Sequence, residues 1–371
     1  MNNAKDYLEF IKEVRQRVHS QAETGWQVQK TLEYLSSIAK KLNCQVFLTE
    51  YMMALFFDFN KSGCMAFRVE LDALPIKEET HLPFKSTNGN MHACGHDGHM
   101  AIAMGLAKFL SDQKNSQQPN SWIKDLNKNI LIVFEPAEEQ TGGMEYLLSQ
   151  GFIRRVGVKC AFAIHLYPSL PKGKIFTKSN KFCIGSREID LTIFGKALHV
   201  ASLTKKGDTI AGCVEFLAKN NKIYGKRGFI RFCKVGGGVA NNITCDEIRL
   251  KGSMRFFGHK KLDGYAMRLK RRLAKICNKY GLSFSLDVKR GVAPIVCNKE
   301  MIKKAKKVTQ ISKAKRQFIC DDFSEWGKKI PIAYFLMGTG GKYPLHSPYF
   351  DFDQNLLATA LDFCINFVKV A

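Results

Sequence analysis

The stretch Met91-His92-Ala93-Cys94-Gly95-His96-Asp97-Gly98-His99 places a thiol, three imidazoles and a carboxylate within nine residues. Further along the chain stand Pro136-Ala-Glu-Glu139 and Leu345-His-Ser-Pro348, which add two carboxylates and another imidazole. A dense cluster of soft and borderline ligands, completed by distant carboxylate and imidazole groups, is typical of metal-dependent hydrolases. The sequence therefore predicts a metal site assembled from several loops of one fold.

Helical and extended patterns alternate around this stretch, from residue 1 to about residue 185. A predicted strand at 130–134 precedes the paired glutamates, a second at 161–165 ends on an imidazole, and a helix predicted over 98–111 begins inside the nine-residue stretch. Such alternation indicates an α/β fold in which helices cover a sheet. Active sites of these folds form in loops at the carboxyl ends of the strands, which is where the motifs lie.

The pattern changes at about Ser186. Strands are predicted over 187–194, 229–235, 247–256 and 283–289, with helices over 209–218 and 261–280. The order strand, helix, strand, strand, helix, strand predicts a ferredoxin-like α+β domain. Alternation of helix and strand resumes after Pro294, with a helix predicted over 300–312. We therefore expect a discontinuous catalytic domain, residues 1–185 and 294–371, into which a domain of residues 186–293 is inserted.

Composition excludes several classes of protein. The chain has 371 residues, of which 45% are hydrophobic, and no apolar run approaches the roughly 20 residues of a spanning helix. The first 20 residues have helical spacing without the apolar block of a signal peptide, so we expect a cytoplasmic protein without a membrane partner. The twelve cysteines lack paired spacings, which favours reduced core thiols over disulfides, with Cys94 as the exception.

The net charge of +24 is concentrated in one segment. Between residues 181 and 293, 24 Lys and Arg stand against 8 Asp and Glu, a net charge of +16. Many of these cations lie among apolar residues, as in Arg268-Leu-Lys-Arg-Arg-Leu-Ala-Lys275, which is typical of a solvated helix face. A nucleic-acid or membrane surface is the alternative, and so is attraction of a di-anionic substrate. No P-loop, helix-turn-helix or aromatic RNA-binding signature accompanies the charge, so nucleic acid is not the expected partner.

Cys94 and His96 stand one residue apart, so both side chains can face one side of an extended or turn segment. A thiolate and an imidazole together bind first-row divalent cations. His92, Asp97 and His99 remain open as further ligands or as groups that hold ligands, and Asp97 is suited to orienting a neighbour. A surface loop is the alternative for so short a motif, but the distant partner residues favour a metal site.

Glu138 and Glu139 directly follow the predicted strand at 130–134. Adjacent carboxylates repel each other unless a cation or a proton offsets their charge. A hydrolase needs one carboxylate that coordinates and another that takes a proton from water, and this pair can supply both. His165, at the end of an apolar run, and His346, in a loop rich in Gly and Pro, are candidate closing ligands.

Seven motifs along the chain carry a resemblance to a known family: Arg68-Val-Glu-Leu-Asp-Ala-Leu-Pro75, residues 91–99, Pro136-Ala-Glu-Glu139, Ala163-Ile-His165, residues 236–243, Asp321-Asp-Phe323 and Leu345-His-Ser-Pro348. In order and spacing they resemble the metallopeptidase-related amidohydrolases, which include N-acyl-amino-acid amidohydrolases, hippurate hydrolases and auxin-conjugate hydrolases. The resemblance covers nearly the whole chain. It implies a zinc-peptidase-like α/β catalytic domain with a layered sheet, and an inserted ferredoxin-like lid and dimerisation domain.

The resemblance also implies roles for individual residues. It implies two divalent metal ions, with zinc, manganese, cobalt and nickel all compatible with the donor set, and a homodimer formed through the inserted domain. Glu138 is then the general base, His199 and Asn242 assist the polarised carbonyl, Arg255 meets a substrate carboxylate, and Asp72 and Asp97 support the metal shell. The implied ligands are Cys94, His96, Glu139, His165 and His346.

Three positions depart from the usual pattern of that family. His199 lies in Lys196-Ala-Leu-His-Val-Ala-Ser202, which lacks the usual small neighbours and Pro, Asp321 replaces a usual Glu, and Glu70 replaces a usual Asp. Within that family, the chain length, the segment 162–186 and the Gly-rich stretch before Asn242 look most like the N-acetyl-diaminopimelate deacetylases of lysine and cell-wall precursor synthesis. The expected reaction is hydrolysis of an amide between a small acyl group and an amino acid. The alternatives are a hippurate-type hydrolase and a non-catalytic relative that binds nucleic acid through its basic domain.

Overall fold

The computed structural model describes residues 4–116, 121–140, 142–202, 204–223 and 227–370. Tertiary packing divides the chain into two compact units. Unit 1 contains Met1–Asn180, Val296–Lys315 and Glu325–Ala371, and unit 2 contains Lys181–Ile295 and Arg316–Ser324. The segment Arg316–Ser324 was not part of the predicted insertion. It belongs to unit 2 because the amide of Ile184 donates to the carbonyls of Gln317 and Ile319, both at 3.1 Å.

Unit 1 is built on a mixed sheet of eight strands, which are β1 Gln45–Leu48, β2 Met53–Phe57, β3 Cys64–Glu70, β4 Asn129–Glu135, β5 Val158–Tyr167, β6 Ile175–Thr177, β14 Ile311–Lys313 and β15 Ile332–Gly338. Their order in the sheet is β1-β2-β4-β3-β5-β15-β6-β14. Strands β3, β4, β5 and β15 are parallel neighbours in its centre. Every residue of β3, β4 and β15 is buried, as expected for parallel strands covered on both faces.

The helices of unit 1 pack on this sheet and on one another. They are α1 Leu8–Ser20, α2 Gln29–Ala39, α3 His96–Asn115, α4 Ser121–Lys124, α5 Gly143–Ser149, α6 Phe152–Arg155, α9 Lys299–Val308 and α10 Leu356–Val370. The 3-10 helix Ala4–Tyr7 leads into α1. Helix α3 contacts the central strands and both α1 and α10, and most of its residues are buried.

The helix predicted over 300–312 is wrong at its end. Helix α9 stops at Val308, because Thr309 takes an extended conformation with φ −155° and ψ 160°. The next residues form β14, which pairs in parallel with β6. Tertiary pairing therefore overrides the local helical pattern in this segment.

The described residues of unit 2 form two α-helices and an antiparallel five-stranded sheet in the order β12-β8-β11-β10-β9. Its elements are β8 Gly185–Phe194, α7 Thr209–Asn220, β9 Lys222–Ile223, β10 Gly228–Gly237, β11 Glu247–Phe256, α8 His259–Tyr280 and β12 Ser283–Val288. Apolar residues of both helices pack with those of the sheet in one core. The predicted α/β fold with an inserted ferredoxin-like domain is confirmed, with β9 as an added edge strand.

Three short elements complete the secondary structure of the described ranges: β7 Asn180–Lys181, β13 Val296–Cys297 and the 3-10 helix Asp322–Lys328. Among the described residues, no helix combines the length and the apolar character needed to cross a membrane.

Candidate metal centre

Two groups of three potential ligands in unit 1 share one thiol. Cys94, His96 and His165 form the first group, and Cys94, Glu139 and His346 form the second. Within each group, one ligand atom from every residue lies within 4.8 Å of the others. The structure thus brings together all five residues that the sequence proposed as ligands, which lie at the carboxyl ends of parallel strands or in the loops that follow them.

The backbone at Gly95 lets neighbouring side chains converge. Gly95 has φ +84° and forms the N-terminal cap of α3, which begins at His96. This left-handed conformation is readily adopted only by glycine, so the tight turn between Cys94 and His96 requires this residue. The loop that carries the fifth candidate is tied to the same turn, since the amide of His346 donates to the carbonyl of Ala93 at 2.9 Å.

The buried imidazoles of His96 and His165 are oriented through their Nδ1 atoms. His96 Nδ1 donates to the Asp72 backbone carbonyl and His165 Nδ1 to the Leu166 backbone carbonyl, both at 2.7 Å. Their Nε2 atoms are then free to act as ligands. His165 Nε2 lies 3.5 Å from the Cys94 thiol, and within the described residues the buried His96 Nε2 has no hydrogen-bond partner. A buried nitrogen lone pair of this kind is what a bound cation would satisfy.

Asp72 fixes the turn that carries the paired carboxylates. Its two side-chain oxygens accept the backbone N–H groups of Glu138 and Glu139, each at 3.1 Å. The two glutamates then face different partners. Glu139 Oε1 lies 3.2 Å from His346 Nε2, whereas Glu138 Oε2 lies 4.0 Å from His96 Nε2. The adjacent carboxylates are therefore distinguished by position.

The turn around these carboxylates is sterically tight. Ala137 has φ +51°, which is uncommon for a residue with a side chain. A Cβ atom added to Gly143 would meet the carbonyl oxygen of Pro136 at 1.8 Å. Only glycine fits at this position, which explains the second residue of the Gly142-Gly143 pair that follows the acidic motif.

Burial and charge make this centre suited to a cation. Burial, followed by the negative charges of Glu139 and Glu138, raises the pKa of the Cys94 thiol well above its ordinary value. Burial also raises the pKa of Asp72, to about 6, and lowers that of His165 to about 3. A bound cation reverses the bias at Cys94, because it stabilises the thiolate, and reinforces the bias at His165, because it binds the neutral imidazole.

Asp97 does not contact a candidate ligand through the hydrogen bonds of its carboxylate. Its Oδ2 accepts from Arg15 Nε at 2.9 Å and lies 2.8 Å from His19 Nδ1. His19 Nε2 in turn lies 3.1 Å from both oxygens of Glu78. All four side chains are buried, and they join α1 to the start of α3, with Asp97 directly beside His96.

Sequence reasoning missed Arg15, His19 and Glu78. The spacing of α1 contains a signal for two of them, since Ile11, Val14 and Val18 recur at helical period and place Arg15 and His19 on the same face. That face is buried. A charged residue on a predicted core face indicates a buried ion pair, because an unpaired charge would be costly there.

We expect the stability of this network to depend on pH. Burial lowers the pKa of His19, but hydrogen bonds to Asp97 and Glu78 outweigh it and raise the pKa from 6.5 to about 9. The folded state holds this proton more tightly than the unfolded state does. Protonation of His19 therefore adds about 3 kcal/mol to the free energy of unfolding. This contribution is complete below about pH 6.5 and is lost as the pH rises through 9.

Urea unfolding of the wild type and of His19→Gln, near pH 6 and near pH 10, checks this expectation. Between pH 6 and pH 10, the free energy of unfolding of the wild type should fall by about 3 kcal/mol more than that of the variant. Equal losses would show that His19 is not the titrating group.

His92 and His99 lie outside both ligand groups. His92 is buried, burial lowers its pKa to about 3, and among the described residues neither ring nitrogen has a hydrogen-bond partner. His99 Nε2 accepts the backbone N–H of Leu166 at 2.9 Å, and its Nδ1 lies 2.7 Å from Glu70 Oε2. Since both of its ring nitrogens are engaged, His99 is not available as a simple ligand.

His199, Asn242 and Arg255 belong to unit 2. The amide of Val200 donates to the carbonyl of Asn242 at 2.9 Å, so the structure brings His199 and Asn242 into neighbouring segments. His199 Nδ1 accepts the backbone N–H of Ala201 at 3.2 Å, which leaves Nε2 as a donor in the neutral ring. Arg255 is half-buried, and its Nη1 donates to the Cys320 thiol at 3.2 Å.

Curated relatives of similar length match almost the entire chain. It is 27% identical over 370 residues to an N-acetyldiaminopimelate deacetylase of Lactococcus lactis subsp. cremoris, a match that covers 94% of this chain and 95% of the relative. It is 26% identical over 378 residues to IAA-amino acid hydrolase ILR1-like 2 of Arabidopsis thaliana, with 95% and 83% covered.

Solved structures share the fold. The YXEP protein of Bacillus subtilis, described as a dinuclear metal-binding peptidase from the M20 family, matches with a TM-score of 0.87 and 23% identity over 99% of this chain and 98% of that one. An aminohydrolase from methicillin-resistant Staphylococcus aureus matches with a TM-score of 0.89 and 23% identity, covering 99% and 97%. The model of peptidase family M20/M25/M40 matches residues 66–368. The chain therefore belongs to peptidase family M20/M25/M40, a family of hydrolases.

Proposed function

We propose that this enzyme is a metal-dependent amidohydrolase that cleaves N-acylated amino acids, with two divalent metal ions held by the two ligand groups. The observation that carries this proposal is the sharing of Cys94 by both groups. The donor set fits, because it combines one thiol, three imidazoles and a carboxylate with an orphaned buried nitrogen on His96. Zinc is favoured by thiolate and imidazole, and manganese, cobalt and nickel are also compatible.

Glu138 is the proposed general base. When bound, divalent ions supply positive charge that acidifies water and polarises a carbonyl group. Glu138 Oε2 lies 4.0 Å from the candidate ligand atom His96 Nε2, and 13% of the Glu138 side chain is exposed, so it can accept a proton from the attacking water. The same carboxyl group can then return that proton to the leaving amine.

The remaining catalytic roles are proposed for His199 and Asn242. In its neutral form His199 can donate a hydrogen bond from Nε2 to a developing oxyanion, because its Nδ1 already accepts the amide of Ala201. Asn242, held in the neighbouring segment, is proposed to assist at the same oxygen. Exposed apolar side chains at Ile210, Val214 and Val235 favour a homodimer formed through this unit.

N-acetyl-diaminopimelate is the proposed substrate. Several of the most similar curated relatives are N-acetyldiaminopimelate deacetylases, at 26 to 28% identity. The strongly basic unit 2 is compatible with an anionic substrate. The alternative is another N-acyl amino acid of the hippurate or auxin-conjugate type, favoured by the Arabidopsis relative.

Arg255 is proposed to recognise the substrate carboxylate. A guanidinium group pairs well with a carboxylate, and the guanidinium of Arg255 donates to the Cys320 thiol, which is a weak acceptor. Arg249 offers a matched control, since it lies on the same strand but is exposed and pairs with Glu247.

A substrate panel with added or chelated divalent metal tests these proposals. We expect metal-dependent release of acetate from N-acetyl-diaminopimelate, at a higher kcat/KM than for N-acetyl amino acids or hippurate. A higher kcat/KM for hippurate would select the alternative substrate.

The role of Arg255 is tested by comparing acyl amino acids with their carboxamides. Arg255→Ala should lower kcat/KM about 10- to 100-fold on acyl amino acids but not on their carboxamides, and Arg249→Ala should change neither. Equal losses of kcat/KM on the acid and the carboxamide would refute the role of Arg255.

A further inference from the structure

The backbone of Leu166 joins two histidines beside the proposed metal centre. Its N–H donates to His99 Nε2 at 2.9 Å, and its carbonyl accepts from His165 Nδ1 at 2.7 Å. Strand β5 pairs with β15 as far as Tyr167 but with β3 only as far as Phe162. The amide of Ala161 faces the β15 side, where it donates to Pro331, so by alternation the backbone groups of Leu166 face the β3 side and need other partners. The two imidazoles supply them.

The donor direction of these contacts fixes the state of His99. A backbone N–H can only donate, so His99 Nε2 must be the acceptor and carry no proton. The ring proton of the neutral imidazole is then on Nδ1, which donates to Glu70 Oε2 at 2.7 Å. The Glu70 carboxylate is itself held by Arg68, and the three side chains are fully buried. His99 is therefore locked in one tautomer and one orientation.

We propose that His99, oriented by Glu70, is a positioning residue for His165 and acts through the backbone of Leu166. The contact with His99 holds the N–H of Leu166, and the strand conformation then holds the carbonyl of the same residue. That carbonyl keeps His165 Nδ1 as a donor and so directs His165 Nε2 toward Cys94. The rings of His99 and His165 also meet edge to face, with centroids 4.6 Å apart. This inference rests on the proposed function, in which His165 is a metal ligand.

The departure at position 70 fits this arrangement. Glu70 ends β3, one methylene longer than the aspartate usual in the resembling family, and its carboxylate spans from Arg68 to His99. Groups that orient a metal-bound histidine typically change metal affinity or activity 10- to 100-fold when removed. An effect of that size is expected here although His99 itself binds no metal.

Cobalt binding to the metal-free protein provides the test, read out as affinity and as the ligand-field spectrum of the bound ion. His99→Leu removes the acceptor and should weaken cobalt binding about 10- to 100-fold with a changed spectrum. His99→Gln, whose side-chain oxygen can accept the Leu166 N–H, should retain most of the affinity and the wild-type spectrum. Should His99→Leu fail to fold, His99→Met removes the same acceptor with a more adaptable side chain.

Phe162→Leu serves as the structural control. Phe162 lies on the same strand as His165, and its ring stacks on Phe67. Its replacement by leucine therefore weakens core packing but leaves the hydrogen bonds of Leu166, His99 and His165 in place. The proposal is overturned if His99→Leu binds cobalt like the wild type, if His99→Gln is as weak as His99→Leu, or if Phe162→Leu is equally weakened. Failure of the wild type to bind cobalt at all would instead refute the proposed function.

Discussion

Replacement of Cys94 by alanine should abolish turnover and remove both metal ions from the protein. The Cys94 thiol is the one candidate ligand common to the two groups, so the substitution removes one donor atom from each group. His346→Ala removes a ligand from the second group alone and should leave the first ion in place. Elemental analysis of the purified variants, together with their rates on N-acetyl-diaminopimelate, measures both effects.

A second cysteine provides the control for this prediction. Cys64 is as buried as Cys94 and lies in the same unit, on β3, but it is outside both ligand groups. Cys64→Ala should therefore keep two ions and most of the activity. Retention of both ions by Cys94→Ala would contradict a shared thiol ligand.

Replacement of Glu138 by glutamine should lower kcat by about 10² to 10⁴-fold while metal content stays unchanged. General-base assistance typically contributes this much, and the amide cannot accept the proton of the attacking water. Glu139→Gln should instead reduce metal occupancy, because Glu139 shares its ligand group with Cys94 and lies 3.2 Å from His346.

The two adjacent glutamates serve as controls for each other. They share one turn, and Asp72 holds both of their amides, so a general disturbance of the loop would affect the two variants alike. Equal loss of metal in Glu138→Gln and Glu139→Gln would show that the proposed division of roles is wrong. Thermal unfolding of both variants establishes that the fold is intact.

The architecture was largely predictable because periodicity is a local property. The alternation of patterns up to residue 185, and the strand and helix order of the insertion, follow from the spacing of apolar residues. The exceptions arise from pairing between distant segments. Strand β14 was predicted as part of a helix, and Arg316–Ser324 packs with unit 2 through the amide of Ile184.

Short segments of the sequence were enough to identify the available chemical groups and their approximate places in the fold. The cluster around Cys94, the paired glutamates and the histidine at the end of β5 are legible because ligand types and strand ends are features of short segments. The family resemblance added the separate roles of Glu138 and Glu139.

Which atoms face one another follows from tertiary packing and could not be read from any one segment. Asp97 was expected to support the metal shell, yet its carboxylate pairs with Arg15 and His19, which lie about eighty residues earlier in the chain. The tautomer of His99 likewise depends on the Leu166 amide. These contacts depend on strand order, register and helix packing, which bring distant residues within hydrogen-bond distance, and no local pattern encodes such a distance.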